Sequence, residues 1–60
     1  MKITKGKKYL CLKDMYQNSV LLFKNGNSYN CKEDNCLAAE ERTKLHGFNA
    51  DIAAEYFSEQ

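Results

Sequence analysis

Ser19-Val20-Leu21-Leu22-Phe23-Lys24-Asn25-Gly26-Asn27-Ser28-Tyr29-Asn30-Cys31-Lys32 is the stretch that decides the fold class. Val20 to Phe23 is the most apolar run of the chain and reads as a central strand, apolar on both faces. Asn25-Gly26 follows it, and this dipeptide is the strongest short hairpin signal because both residues tolerate the positive φ of a type I′ turn. Ser28 to Lys32 then alternates, as the returning strand of a hairpin would, with Tyr29 and Cys31 on one face. Upstream, Tyr9-Leu10-Cys11-Leu12 is a second β-favouring run, opened by Gly6. The polar residues 14–18 between the two runs read as a loop. The pattern Gly6-x-x-Tyr9-x-Cys11-x-x-Asp14 returns 20 positions later as Gly26-x-x-Tyr29-x-Cys31-x-x-Asp34. Two strands, each entered from a glycine turn with Tyr and Cys on the same face, would produce that echo.

Downstream the signals divide. Leu37 to Arg42 are largely good helix formers, Asn35 can cap them, Glu40 and Lys44 form an i,i+4 pair, and Gly47 can end the run. Such a helix lacks a clean apolar stripe, however, because Glu41 falls between Leu37 and Leu45. The competing reading is a hairpin of residues 36–39 and 44–48 turning at Glu40-Glu41-Arg42-Thr43. The last segment is plainer: Asn49 caps, Asp51 sits in the first turn, and Ile52, Ala53, Tyr56 and Phe57 form one stripe. Phe48 and Ala53 suit a hydrophobic staple. So short a helix is unstable alone and must dock on the sheet.

Gly6-Lys7-Lys8-Tyr9-Leu10-Cys11-Leu12-Lys13-Asp14, Phe23-x-x-Gly26-x-x-Tyr29, Asp34-Asn35-Cys36-Leu37 and Glu55-Tyr56-Phe57 together resemble small SH3-like barrel proteins of phages and bacterial mobile elements. Asn27 stands where those proteins often carry lysine. The resemblance implies a mostly β fold, a small SH3-like antiparallel barrel with a short C-terminal helix, and tips residues 36–48 toward strands. It implies an origin but no site, since the functions of that group are mostly unassigned. The expected strands lie near 8–13, 19–24, 28–32, 36–39 and 44–48, with a helix near 49–57 and residues 1–6 as a flexible basic arm. The alternative is an α+β fold, a three-stranded sheet followed by two helices. The expected core is Tyr9, Leu10, Leu12, Val20, Leu22, Phe23, Tyr29, Leu37, Leu45, Ile52, Tyr56 and Phe57.

Sixty residues make one small domain, too short for a cofactor domain with a deep substrate pocket. No apolar run exceeds four residues, whereas a bilayer span needs about 20. The basic start has no hydrophobic stretch behind it, and three cysteines is an odd count, so the expectation is a reduced, cytoplasmic protein. Net charge is +1, but residues 1–32 carry seven lysines against Asp14, while residues 33–60 carry Arg42 and Lys44 against seven acids. The plain meaning of that asymmetry is that the two halves attract each other when folded.

Four kinds of chemistry are open to these residues. Cys11, Cys31, Cys36 and His46 are a nominal zinc set, but their spacing is loose, and three buried thiols explain the cysteines as well. A Cys–His dyad would need an orienting third group and a pocket, and the adjacent pairs Glu33-Asp34 and Glu40-Glu41 suit turns better than acid–base work. The expectation is therefore a non-enzyme with no cofactor and no catalytic or metal residues. Lysines interleaved with aromatics make Lys7, Lys8, Lys24 and Lys32 the candidate nucleic-acid contacts, although the isoelectric point near 7.7 is low for a dedicated binder. These lysines also suit an edge strand guarded against pairing. The leading expectation is a non-catalytic interaction protein of phage or mobile-element origin. It would bind and modulate a host protein through Met15, Tyr16, Lys24 and Tyr29, as monomer or homodimer, because aromatics and Met favour interfaces.

Overall fold

Two turns set the strand order, and they exchange the roles that local sequence suggests. The computed structural model describes residues 1–39 and 44–60. At Asn25-Gly26 only the glycine has positive φ, at +92°, and Asn27 N–H donates to the Lys24 carbonyl at 3.1 Å. That is the pattern of a type II turn, which does not match the twist of a tight hairpin. Two consecutive positive φ angles, the mark of a type I′ turn, occur instead at Asn18 (52°) and Ser19 (67°). The expected hairpin of 19–24 with 28–32 is therefore replaced by two other pairings. Met15–Gln17 is strand β2, not loop, and pairs antiparallel with β3 (Val20–Phe23). Strand β4 (Ser28–Asn30) pairs antiparallel with β1 (Lys8–Cys11), with Tyr9 directly opposite Tyr29.

The remaining elements are β5 (Cys36–Ala38), β6 (Leu45–Gly47), α1 (Ala50–Tyr56) and β7 (Phe57–Glu59). β5 and β6 form the antiparallel hairpin that competed with a helix, so the α+β alternative does not hold; its turn at 40–43 lies outside the described residues. Among the described residues the strands make three small antiparallel sheets, β4-β1-β7, β2-β3 and β5-β6, with no closed barrel. The molecule is thus mostly β with one short C-terminal helix. Strand β1 is a centre strand rather than the lysine-guarded edge its sequence suggests.

Helix α1 begins as expected: Asn49 Oδ1 accepts from Ile52 N–H at 2.9 Å, and Asp51 lies in the first turn. It stops after seven residues because Phe57 turns extended and its N–H donates to the Ala53 carbonyl. Strand β7 then pairs with β1, an element for which the sequence offered no separate signal. This delivers the Phe57 ring to an aromatic cluster centred on Phe23. Ring centroids lie 4.9 Å from Phe23 to Tyr29, 5.4 Å to Phe57 and 5.6 Å to Phe48, all edge to face. Such pairs add about 0.5–1.5 kcal/mol each beyond the area they bury.

The fully buried side chains include Tyr9, Phe23, Phe57, Ile3, Leu37 and Cys11. Leu10, Leu22, Tyr29 and Tyr56 are half-buried, while Leu12, Val20, Leu45 and Ile52 are exposed and do not belong to the core expected for them. Cys31, Ala39 and Ala53 take buried places instead: small side chains let the short elements approach closely. The expected arm at 1–6 is packed into the fold. Ile3 is buried, its carbonyl accepts from Asn35 N–H, and Tyr9 Oη accepts from Thr4 N–H and donates to the Lys2 carbonyl.

The 20-residue echo is a structural repeat. Gly6 N–H donates to the Cys31 carbonyl, and Gly26 N–H donates to that of Cys11, both at 2.9 Å. Thr4 N–H reaches Tyr9 Oη as Lys24 N–H reaches Tyr29 Oη. Asp34 accepts from Lys5 N–H as Asp14 accepts from Asn25 N–H. Each cysteine thiol donates to a carbonyl two residues on, Cys11 to Lys13 and Cys31 to Glu33. Every one of these bonds maps onto its counterpart by adding 20 to one half and subtracting 20 from the other. An approximate two-fold axis therefore runs between Tyr9 and Tyr29.

Candidate functional site

The β2–β3 ribbon carries the first two of the proposed contact residues on opposite sides. The register slips between Met15 and Tyr16: Met15 lies opposite Phe23, but Tyr16 lies opposite Leu21. That irregularity sends neighbouring side chains to different environments. Met15 is half-buried and packs on the core, whereas Tyr16 is 62% exposed. Tyr16 is thus the protruding aromatic of the ribbon, backed by the half-buried Leu21.

Tyr29 and Lys24 are tied to each other through the backbone, since Lys24 N–H donates to Tyr29 Oη at 2.9 Å. The Tyr29 ring leans on Phe23 and Phe57, so most of it serves the core. Its remaining surface lines a groove of about 610 Å³ that runs along β4 toward the β5–β6 hairpin. Ser28, Asn30 and Lys32 line one wall of this groove, and Ala38, Ala39 and Leu45 line the other. A shallower hollow of about 200 Å³ lies between the ribbon and β6, with Val20, Leu22 and His46 in its lining. Leu45 and Val20 were assigned to the core by their hydrophobicity; the structure gives them to these two surfaces. No signal in the sequence marks either residue as exposed, since both are apolar residues in β-favouring segments.

The four candidate nucleic-acid lysines sit on different elements. Lys7 makes a 3.1 Å ion pair with Glu59, Lys8 opens β1, Lys24 sits in the turn before β4, and Lys32 borders the groove. Acids from the second half answer the first-half lysines directly: Lys13 pairs with Glu55 at 2.8 Å as well. The hydrogen bond to Glu55 raises the Lys13 pKa, with the Tyr56 ring 5.2 Å away adding a cation–π contact. Both ion pairs are about half exposed, and pairs of that kind contribute roughly 0–1 kcal/mol.

The thiols and the histidine are apart in function. Cys11 and Cys31 donate to backbone carbonyls in the two halves of the repeat, and Cys31 also reaches the Cys36 carbonyl at 3.3 Å. Desolvation, followed by the charge of Glu33, pushes the Cys36 thiol pKa up, which holds it in the protonated, weakly nucleophilic form. His46 is half-buried on β6 with its ring edge-on to Phe23 at 6.0 Å. Among the described residues no group of three or more His, Cys, Asp or Glu side chains is placed to hold a metal. No helix among them is long and apolar enough to cross a membrane.

Comparison with known proteins adds no relative to this geometry: no family model, curated protein or solved structure matches the chain.

Proposed function

We propose that this protein is a non-catalytic interaction module, a variant of the SH3-like barrel of phage or mobile-element origin, that binds and modulates a host protein in the cytoplasm. Tyr16 carries the reading. A large aromatic side chain held 62% exposed on a two-stranded ribbon gives contact area at low entropic cost. Met15 packs the ribbon on the core, Tyr29 lines the β4 groove, and Lys24 is tied to Tyr29 through its N–H. Among the described residues β4 ends its sheet, an edge to which an extended partner segment can add.

The test is a tagged pull-down from nuclease-treated bacterial lysate, run beside Tyr16→Ala. One stoichiometric protein is expected from the wild type, with at least a tenfold loss for the variant and an unchanged melting curve, as for a central interface aromatic. Full retention by Tyr16→Ala would move the contact away from the ribbon.

A second reading is favoured by one observation. Lys32 and Tyr29 line the same groove, the combination of cation and ring that single-stranded nucleic acids use. Lys7, Lys8 and Lys24 would add phosphate contacts from the start of β1 and the turn before β4. Capture that disappears with nuclease, together with salt-sensitive retention on single-stranded DNA, would favour it over the protein partner.

A further inference from the structure

We propose that the chain exchanges residues 1–17 with a second copy of itself, pivoting at Asn18 and Ser19, to form an intertwined homodimer. Residues 1–17 contain β1 and β2, which do not pair with each other. Every strand partner of this segment lies beyond the turn: β4 and β7 flank β1, and β3 flanks β2. The supporting bonds cross the same boundary, including Gly6 to Cys31, Gly26 to Cys11, Leu12 to Tyr56, Asn35 to Ile3 and Gln60 to Lys8. All of them are remade when the segment lies on another copy, so exchange costs no native contact away from the turn.

The turn itself supplies a bias. Asn18 and Ser19 both hold positive φ, and serine, unlike glycine, is strained there. Opening the turn lets β2 run on toward β3 in extended backbone and releases that strain once per chain. Short hinge turns under strain are the places where swapping occurs. Charge does not oppose the exchange. Residues 1–17 carry five lysines and Asp14, a net +4, and residues 20–60 carry a net −3. The segment of one copy is thus drawn to the body of another as it is to its own, with Lys7–Glu59 and Lys13–Glu55 reforming between chains.

Light scattering after size exclusion, over about 10 μM to 1 mM protein, should show a dimer that increases with concentration. Ser19→Gly removes the strain from both turns of the pair, and the dimerisation constant should fall roughly 30-fold. A chain lacking residues 18 and 19 cannot close the ribbon and should be dimeric throughout. Lys8→Cys/Asn30→Cys identifies the geometry, because these positions face each other across β1 and β4. A bridge between chains in the isolated dimer supports exchange. A dimer bridged only within each chain is a side-by-side pair and overturns the proposal. So does a wild type that stays monomeric at every concentration, or a folded monomer from the shortened chain. If the shortened chain does not fold, the wild type, Ser19→Gly and the cysteine pair decide.

Discussion

Residues 3–14 and 23–34 share one hydrogen-bond plan yet do different work. Their turns, tyrosine hydroxyls, aspartates and thiols correspond bond for bond. What differs is the packing of the residues between those fixed points. At corresponding positions the first half buries Ile3 and the second buries Phe23. Tyr9 is fully buried, whereas Tyr29 keeps a face on the groove. After the aspartate, the first half runs into the protruding ribbon and the second into β5, where Leu37 is buried. The lesson is that polar backbone anchoring and apolar filling are separable: a repeated bond plan sets the chain path, and the side chains hung on it decide position by position what fills the core and what faces the surface.

The sharpest way to break this comparison is to truncate the two buried equivalents. Phe23→Ala should cost about 4 kcal/mol, because it removes the hub of the ring cluster. That is close to the whole stability of about 3–9 kcal/mol expected for 60 residues, so the variant should be largely unfolded by circular dichroism. Ile3→Ala should cost about 2–3 kcal/mol and leave a folded protein with a lower melting temperature. Equal losses would mean that the two halves share the core more evenly than the geometry says.

The glycines test the part that is alike. Gly6 and Gly26 have φ of +89° and +92°, and a Cβ at either would meet nothing within 4 Å. Gly6→Ala and Gly26→Ala should therefore each cost about 1–2 kcal/mol in denaturant melts, from backbone strain alone. A difference well above 1 kcal/mol between them would break the symmetry of the bond plan. The tyrosine hydroxyls give the smallest effect. The bond from Thr4 N–H to Tyr9 Oη is partly buried, whereas the one from Lys24 N–H to Tyr29 Oη lies at the surface. Tyr9→Phe should cost about 1.5 kcal/mol and Tyr29→Phe about 0.5 kcal/mol by the same melts.

The legible part of the fold was local and the illegible part was relational. Gly6, Tyr9 and Cys11 predicted their counterparts at 26, 29 and 31 because the same turn and strand parity recur. Asn49 announced its helix through a cap whose donor lies three residues on. The Asn25-Gly26 signal misled because Gly26 N–H and Asn27 C=O bond to Cys11 across the molecule, so tertiary bonds chose the turn type. Strand β7 was hidden because Tyr56 and Phe57 fit a helical stripe as well as an extended strand, and only the ring cluster separates the two. Of the candidate contacts, Tyr16 was legible as an aromatic in a polar stretch. Leu45 and Val20 were not, since hydrophobicity does not reveal which apolar residues a core this small leaves outside.

Strand β1 is completed on one side by β4 and on the other by β7, where Tyr9 meets Glu59. Strand β7 is only three residues long, so its fraying bares a hydrogen-bonding edge on β1 that another chain could pair with. Lys7 stands beside that edge, and its ion-pair partner Glu59 leaves with β7. The positive charge is therefore unmasked when the edge is bare and partly cancelled when β7 docks again, so the guard against pairing is strongest when the edge is open.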